Sequence, residues 1–323
     1  MNLQRRQILK GSGAALLALP LMAGAQAWPA RPIRLVVPFP PGGLVDTMAR
    51  LIGPRLAQEL GQPVVIDNKP GAGGNLGAAE VARATPDGYT LLMASPPLTI
   101  SPALYATLPY KPEQIVPIGL IGRVPNVLLV NPKSGINTVA ELVVRAKKTP
   151  GQLNYASNGN GTSLHLSAEL FKTSTGTFIT HIPYRGAGPA LQDLVAGQIE
   201  LMFDGLGSSA THIKAGRIKA IAVASEKRAP GFANVPTAKE AGVPTYQVAT
   251  WYGLWAPKGT PAAVVEAMQA EMKKALNSDE LKGVWNGLGA DTPNLYGADF
   301  GKFVGSEVKR WAEVVKASGA KLD

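Results

Sequence analysis

The chain of 323 residues is 46% apolar and only 17% charged, so it can form two domains with hydrophobic cores, and a disordered or fibrous protein is excluded. It contains no cysteine, which excludes disulfides, zinc ribbons, thiol nucleophiles and iron–sulfur ligation. The formal net charge of +10 suits anionic small molecules or an anionic surface. The lysines and arginines are scattered, with no basic run interleaved with aromatics, which argues against nucleic acid.

Residues Met1–Ala27 have the pattern of an export signal. Positive charges at Arg5, Arg6 and Lys10 come first, and the apolar run Ala14–Ala23 follows them. A small-x-small cleavage site then lies at Ala25–Ala27. The apolar run is half the length of a membrane span of roughly 20 residues, which disfavours an anchor. We therefore expect cleavage after Ala27 and a periplasmic protein that begins at Trp28. The arginine pair also resembles a twin-arginine signal, so the Sec and twin-arginine routes are both open.

The stretch Arg34–Arg50 predicts a strand, a tight turn and the start of a helix. Its apolar residues up to Val37 predict a buried strand, and the prolines and glycines of Pro38–Gly43 end that strand. Apolar residues then recur at helical spacing over Leu44–Leu60, where Pro54 is expected to kink or split the helix. A glycine-rich turn before a helix leaves backbone N–H groups open, so this turn is a candidate anion site.

Short apolar runs alternate with helical stretches along most of the chain, which predicts βαβ units and mostly parallel sheets. The first unit has strands at Arg34–Val37, Val64–Asp67 and Tyr89–Ala94 and helices at Leu44–Leu60 and Leu76–Ala84. The second has strands at Asn154–Ala156, Ile179–Tyr184, Glu200–Asp204 and Lys219–Ala224 and helices at Ser163–Thr173, Gly188–Ala196 and Ser208–Ala215. A capping box formed by Thr138 and Glu141 opens a further helix that ends near Lys148.

Three apolar runs connect these units, at Ile115–Ile121, Asn126–Val130 and Val248–Ala256. After the last run only helices follow, near 261–276, 279–285 and 298–317, and they must pack onto strands that are already built. We therefore predict that the chain crosses between two lobes twice, near Arg123–Val127 and near Gln247–Tyr252. This division places residues 28–124 and 249–323 in lobe 1 and residues 125–248 in lobe 2.

Four loops that are rich in glycine and small polar residues follow predicted strands. They are Pro40–Asp46, Asn68–Gly77, Ser95–Thr99 and Ser157–Ser163, the first to fourth loops below. Open α/β sheets bind ligands at the carboxyl ends of their strands, and helix N-termini there favour carboxylate or phosphate by about 0.3–1 kcal/mol each. One such loop alone is more simply a tight turn, but four together predict an anion site. Leu76 replaces the third glycine of G-x-G-x-x-G and no G-K-[ST] occurs, which disfavours a nucleotide.

Catalysis has little support in the sequence. The three histidines show no H-E-x-x-H spacing and no G-x-S-x-G elbow occurs, so we expect no catalytic residue, no cofactor and no metal. His165 lies one turn into a predicted helix and either touches a ligand or makes a structural hydrogen bond. Asp46 is either a first-turn carboxylate stabilised by the helix or a ligand contact. Arg185 and Asp204 could each bind a ligand or form a structural pair, as an arginine can bind a carboxylate bidentately.

Five segments together resemble the Bug-type periplasmic solute-binding proteins, which are the extracytoplasmic receptors of tripartite tricarboxylate transporters. They are PFPPGGLVD (Pro38–Asp46), NKPGAGGNLGAAEVARATPDGYTL (Asn68–Leu91), SNGNGTSLHLSAELF (Ser157–Phe171), HIPYRGAGPALQDLVAGQIELMFD (His181–Asp204) and VPTAKEAGVP (Val235–Pro244). The resemblance implies an α/β, two-lobed Venus-flytrap fold of the type II binding-protein kind, each lobe a mostly parallel sheet flanked by helices. It also implies that one ligand carboxylate lies on the backbones near Gly42 and Gly73, with bridging waters, and that the fourth loop and the Arg185–Ala187 turn close over the other end.

These inferences together give one set of expected ligand-binding residues. The set is Pro41, Gly42, Gly43, Asp46, Gly73, Gly74, Asn75, Ser95, Thr99, Ser157, Asn160, Gly161, Thr162, His165, Arg185, Gly186, Ala187 and Asp204. Two departures from the family pattern stand out. Lys111 replaces a frequent aspartate outside the expected cleft, and Pro96-Pro97 give the third loop few donors, so contacts are not transferred there.

The expected function is capture of a small organic carboxylate by cleft closure, followed by delivery to integral-membrane transporter subunits. One alternative is a ligand-loaded partner of a sensor kinase, and a more distant one is a periplasmic enzyme that acts on carboxylates. Dicarboxylates, tricarboxylates, aromatic carboxylates and acidic amino acids all fit a backbone anion site with one arginine.

Overall fold

The computed structural model describes residues 28–319, so the expected signal peptide Met1–Ala27 lies outside the described residues. The described part is an α/β fold. Its strands are β1 (Ile33–Val37), β2 (Val64–Asn68), β3 (Thr90–Ala94), β4 (Ile115–Val130), β5 (Asn154–Ser157), β6 (Thr180–Pro183), β7 (Leu201–Gly205), β8 (Lys219–Val223) and β9 (Ala249–Pro257). Its helices are α1 (Leu44–Leu60), α2 (Asn75–Ala82), α3 (Pro97–Leu104), α4 (Val139–Lys148), α5 (Ser163–Thr175), α6 (Ala187–Ala196), α7 (Leu206–Lys214), α8 (Ala262–Asn277), α9 (Asp279–Gly287) and α10 (Gly297–Ser318).

The strands form a mixed sheet in the order β2-β1-β3-β9-β4-β7-β5-β6, with β8 pairing on β4 beside this path. Strands β1, β2 and β3 are parallel to one another, and we call them the first strand group. Strands β5, β6 and β7 are also parallel and form the second strand group. The strands between the groups, β4 and β9, are antiparallel to their neighbours. The expected parallel βαβ units are therefore present, joined by an antiparallel centre.

The two expected crossings lie side by side in the structure. The sequence predicted two separate apolar runs where β4 is one continuous strand, and β4 pairs with β9 from Ile115 to Pro125. Beyond that point β4 pairs with β7 and β8, so one strand serves both groups. Asn126 fixes the changeover, because its N–H donates to Val248 O (3.0 Å) and its side-chain oxygen accepts from Thr250 Oγ1 (2.8 Å). The proposed lobe boundaries, at residues 124/125 and 248/249, fall at this point of the sheet.

The last helix, α10, packs on both parts of the fold. Phe300 near its start lies in a cluster with Trp251 of β9, whereas Trp311 near its end lies in a cluster with Phe171 of α5. Between them the buried carboxylate of Glu307 accepts the indole N–H of Trp251 (2.9 Å) and that of Trp311 (3.0 Å). Hydrogen bonds to an ionised acceptor are among the stronger ones, so this carboxylate ties α10 to the central strands.

Two local predictions differ from the structure. Helix α1 runs unbroken from Leu44 to Leu60 although Pro54 lies inside it, so the expected split does not occur. The third loop is shorter than expected, because α3 begins at Pro97 and takes in Thr99. A proline is well tolerated in the first turn of a helix, where its missing N–H has no intrahelical partner in any case. Between residues 28 and 319, no helix is both long and apolar enough to span a membrane.

Candidate functional site

The expected site residues follow the carboxyl ends of six strands. In the first strand group, Pro41, Gly42, Gly43 and Asp46 follow β1, Gly73, Gly74 and Asn75 follow β2, and Ser95 and Thr99 follow β3. In the second, Ser157 ends β5 and is followed by Asn160, Gly161, Thr162 and His165. Arg185, Gly186 and Ala187 follow β6, and Asp204 is the second-last residue of β7. Parallel strands of one group end at the same edge, so each group gathers its own loops there.

The first and second loops pack directly against each other. Asn68, at the end of β2, donates from Nδ2 to Phe39 O at 2.9 Å. A methyl group on Gly77 would lie 2.8 Å from Pro38 Cβ, and one on Gly74 would lie 3.3 Å from Phe39 Cζ. Gly74 also has a φ of 98°, in the left-handed region that glycine adopts without strain. These glycines are therefore needed for the close approach of the two loops.

Asp46 holds the first loop in shape. Its side chain is buried and accepts three hydrogen bonds, from Gly42 N–H (2.9 Å), Arg50 Nε (2.8 Å) and Asn68 Nδ2 (3.0 Å). Burial by itself raises the pKa of a carboxyl group, but here these bonds outweigh it and lower the pKa of Asp46. Of the two hypotheses from the sequence, this geometry supports the structural one, and a ligand contact of Asp46 stays a prediction.

A small cavity lies where the first three loops meet. Its lining includes Phe39, Gly74, Asn75 and Ser95, and its free volume of about 10 Å³ is enough for one water molecule. Asn75 Nδ2 is buried and has no hydrogen-bond partner among the described residues. Buried donors are normally satisfied, so this amide is a candidate to hold a water at the base of the loops. The hydroxyl of Thr99, by contrast, donates to Pro96 O at 2.9 Å.

The fourth loop and the Arg185–Ala187 turn lie next to each other. Tyr184 N–H donates to Ser157 O at 3.1 Å, which continues the pairing of β5 and β6 beyond their ends. Thr162 caps α5, since its Oγ1 accepts from His165 N–H, and His165 Nδ1 in turn accepts from Gly161 N–H at 3.1 Å. Arg185 is exposed and its guanidinium makes no hydrogen bond or ion pair with any residue from 28 to 319. The structural pair considered for Arg185 is therefore not observed.

The two strand groups touch at Leu44, a residue that the sequence did not single out. A methyl group on Gly205 would lie 3.3 Å from Leu44 Cδ2, and one on Gly207 would lie 3.3 Å from Leu44 Cδ1. Within residues 28–319, no hydrogen bond joins the first three loops to the fourth loop or to the Arg185–Ala187 turn. The signal for this contact is the two glycines at the junction of β7 and α7, Gly205 and Gly207, because close approach is a usual reason for glycine at a strand end.

Asp204 lies beside this contact and has an environment unlike that of Asp46. It is buried, and its Oδ2 accepts from Ser208 Oγ at 2.6 Å. Burial raises the pKa of Asp204 to about 6, because hydroxyl and backbone donors without a cation do not compensate the lost hydration. Tyr252 of β9 is close enough for the Asp204 charge to add to burial in raising the pKa of its phenol. Across residues 28–319 no cluster of three acidic or histidine side chains could hold a metal.

Comparison with known proteins places this chain in a family. Residues 48–320 match the tripartite tricarboxylate transporter family receptor. BugT of Bordetella pertussis is 38% identical over 326 residues, which span 100% of both chains. A solved R. palustris protein with adipate is 40% identical with a TM-score of 0.86, over 91% of this chain and 100% of that one. MatC from Rhodopseudomonas palustris with bound malate is 36% identical with a TM-score of 0.82, over 89% and 99%.

These likenesses confirm two predictions, the two-lobed periplasmic-binding-protein fold and the resemblance to Bug-type receptors. The family match covers most of the chain, and the adipate-bound R. palustris protein covers 91% of it. The chain belongs to the family of tripartite tricarboxylate transporter receptors.

Proposed function

We propose that the protein is a periplasmic receptor that captures a small organic carboxylate between its two lobes and delivers it to the membrane subunits of a tripartite tricarboxylate transporter. Its family supports this role, and two similar solved proteins carry adipate and malate, which are both dicarboxylates. A receptor of this kind makes and breaks no bond, so we expect no turnover of the ligand. Export of the mature chain from Trp28 belongs to the same proposal.

The way in which the helices begin is the observation that carries this proposal. Helices α1, α2, α6 and α7 each follow a strand of the two strand groups, and each has a glycine N-cap without a side-chain hydrogen bond. The first N–H groups of a helix have no intrahelical partner, and together with the helix dipole they attract anions. By contrast, α4 and α9 are capped by the side chains of Thr138 and Ser278, and of the helices at the loops α5 is capped by Thr162. Uncapped glycine starts thus collect at the edges where the loops lie.

Arg185 supplies the charge that a backbone site lacks. Its guanidinium is exposed and unpaired within the described part of the chain, and it stands directly before the glycine N-cap of α6. An arginine can bind a carboxylate with two parallel hydrogen bonds, which a neutral amide cannot match. We therefore propose that Arg185 binds one end of the ligand, while the glycine starts of α1 and α2 bind the other.

Closure of the cleft would be a hinge motion at the paired strands β4 and β9. We place the hinge near Asn126 and Thr250, where β4 changes from pairing with β9 to pairing with β7 and β8. Hinge closure around a ligand excludes water and creates a new surface, and we propose that the transporter recognises this closed surface.

The first test is a thermal-shift screen of the mature protein, purified from the periplasm and freed of carried-over ligand, against carboxylic acids and their matched neutral amides. A ligand that binds only the folded state raises the melting temperature by mass action, so one acid should stabilise the protein and its amide should not. A folded protein that responds to no acid would contradict carboxylate capture.

The Arg185→Ala variant should then weaken binding of the stabilising acid by about 10- to 100-fold, as expected when a charged hydrogen-bond partner is lost. Arg217→Ala is the matched control. Arg217 is also exposed and lies just before β8. The first residue of β8, Lys219, pairs with Val130, and Val130 also pairs with Leu201 at the amino end of β7. Arg217 is therefore at the end of the strands opposite to the loops. Calorimetric affinities that fall equally in both variants would argue against a specific role of Arg185.

Delivery is tested in cells that lack the gene. Uptake of the labelled acid should be lost on deletion, restored by the wild-type gene and restored poorly by the Arg185→Ala gene. Loss of gene induction with normal uptake would instead favour the sensor-kinase alternative, and conversion of the acid by the purified protein would favour an enzyme.

A further inference from the structure

Three aromatic rings stack beneath the fourth loop. Tyr155 of β5 and His181 of β6 have ring centroids 4.8 Å apart and an interplanar angle of 17°. His181 stacks in turn on His165 of α5, at 4.2 Å and 11°. The rings come from three different elements, so the stack joins the strand ends to the helix that starts after the loop. From the sequence, His165 was a candidate by itself, and no pattern indicated that it stacks on His181.

Both ends of the fourth loop are bonded to this stack. At its start, Ser157 Oγ lies 2.7 Å from His181 Nε2 and also accepts from Gly159 N–H at 3.2 Å. At its end, His165 Nδ1 accepts from Gly161 N–H at 3.1 Å. The two imidazoles therefore hold the loop at two points, and neither of these ring nitrogens is left over to contact a ligand.

The bond from Gly161 defines where the proton of His165 lies. A ring nitrogen that accepts a hydrogen bond carries no proton, so the proton of the neutral ring is on Nε2. That atom lies 3.9 Å from Glu169 Oε1, on the next turn of α5. The same oxygen accepts from Tyr155 O–H (2.8 Å) and from Lys172 Nζ (2.7 Å). The charge of Glu169 is thus already matched by Lys172, with little left to favour a second cation.

The surroundings keep both rings neutral. Burial lowers the pKa of His165 in spite of the opposing effect of Glu169. Burial, and then the neighbouring His165 and Lys172, lower the pKa of His181 to about 3. The titratable groups that face the pair are Tyr155, Glu169 and Lys172, and none of them supplies an unmatched negative charge at neutral pH.

We infer that the stacked His165–His181 pair positions the fourth loop for the ligand, and that it can do so only while His165 is neutral. A proton on His165 Nδ1 would turn the acceptor of Gly161 N–H into a second donor, so that bond would break. The new charge would also lie within a ring stack and close to Lys172. The two histidines are then positioning residues that act through the loop, and acid opens the loop. This inference rests on the proposed function.

The test begins with the ligand-free, 15N-labelled mature receptor, whose three histidines give few ring signals. At pH 7.5 the His165 ring should show the Nε2–H form, and the Gly161 amide should exchange slowly. Protection of Gly161 should disappear at the pH at which His165 titrates, which lies below the ordinary histidine pKa of 6.5. A proton on Nδ1 at pH 7.5, or a Gly161 amide that stays protected after His165 has titrated, would overturn the inference.

Two variants separate the roles of the ring. His165→Leu removes the acceptor and should reduce Gly161 protection by about tenfold at pH 7.5. His165→Asn places an amide oxygen near the position of Nδ1, so it should keep the protection and abolish its loss in acid. His212→Asn, outside the stack, is the control and should change neither. Amide protection in β1 shows whether a variant is folded. If His165→Leu does not fold, His165→Asn decides the question. The inference is overturned if Gly161 in His165→Asn still loses its protection in acid.

Adipate, the ligand of a similar protein, serves as the binding probe. Its affinity by calorimetry should fall about tenfold in His165→Leu and remain near the wild-type value in His165→Asn. A loosened loop with unchanged adipate affinity would overturn the positioning role. If the wild type binds neither adipate nor any other acid, the proposed function fails, whereas Gly161 protection still decides whether the histidines hold the loop.

Discussion

The two strand groups fix their loops in opposite ways, as their buried carboxylates show. Asp46 and Asp204 are 2% and 1% exposed, and both stand at the junction of a strand and a helix. The pKa of Asp46 is lowered, whereas that of Asp204 is raised to about 6. Asp46 has a guanidinium and two amide donors, but Asp204 has only hydroxyl and backbone donors. Burial alone therefore does not decide the charge of such a group, because the donors around it do.

The comparison extends to the rest of each loop edge. The first strand group holds its loops with the ionised carboxylate of Asp46 and with Arg50. The second uses the neutral imidazoles of His165 and His181 and the carboxyl group of Asp204, which ionises only near pH 6. The first edge should accordingly keep its shape into acid. The second edge should change as the pH falls, because Asp204 takes up a proton near pH 6 and His165 below its ordinary pKa of 6.5, so the two edges can be separated by pH alone.

The largest expected effect follows from Asp46→Ala. It removes the buried acceptor of three charge-assisted hydrogen bonds, from Gly42, Arg50 and Asn68, so the free energy of unfolding should fall by about 3 kcal/mol. Urea denaturation at pH 7.5 measures the loss. Asp299→Ala is the matched control, since Asp299 is also a first-turn carboxylate but is exposed and forms a surface ion pair with Lys302. It should cost under about 1 kcal/mol. Equal losses would contradict the assigned role of Asp46.

A gain rather than a loss is expected for Asp204→Asn. The unfolded carboxyl group ionises near its ordinary pKa of 3.8 and the folded one only at about 6, so the wild-type protein loses stability as the pH rises through that interval. The amide cannot ionise, and the variant should be more stable by about 2 kcal/mol at pH 8. The difference should vanish near pH 4. A difference that is the same at both pH values would show that the carboxylate is not the cause.

The smallest effect concerns the contact between the edges. Gly207→Ala would place a methyl group 3.3 Å from Leu44 Cδ1 and 3.5 Å from Leu288 Cβ, so Leu44 must shift slightly. We expect the free energy of unfolding to change by under about 1 kcal/mol and ligand affinity to fall about threefold. Combining it with Leu44→Ala should remove the loss of affinity. Additive effects of the two changes would mean that the residues do not act together.

The sequence predicted most elements of this fold because their signals are local. Helix α1 occupies Leu44–Leu60 as expected, since apolar spacing and the flanking glycines suffice to define it. Helix α3 was not predicted, because the prolines at 96, 97 and 102 argue against a helix in the sequence although the fold accommodates them. The continuity of β4 was also missed, because its middle residues pair with β9 and with distant segments that no local pattern reveals.

The sequence predicted the elements on which the candidate site residues lie, but not their atomic contacts. The sequence placed Asp46 and His165 correctly on their helices and left open whether they touch a ligand. Their partners decide the matter, and one of these, Asn68, lies 22 residues from Asp46 in the chain. Such a pairing depends on the register of β1 and β2, which apolar spacing does not determine. The contact of Leu44 with Gly205 likewise depends on how the two strand groups face each other.

The shared carboxylate of Glu307 gives this receptor an optical signal of its own. Trp251 lies opposite Arg123 in the central strands, Trp311 lies on the last helix, and both indoles donate to the same oxygen. Indole emission responds to a nearby charge, so a small displacement of the strand relative to the helix alters two fluorophores at once. Opening and closing of the proposed hinge can then be followed in the unlabelled protein.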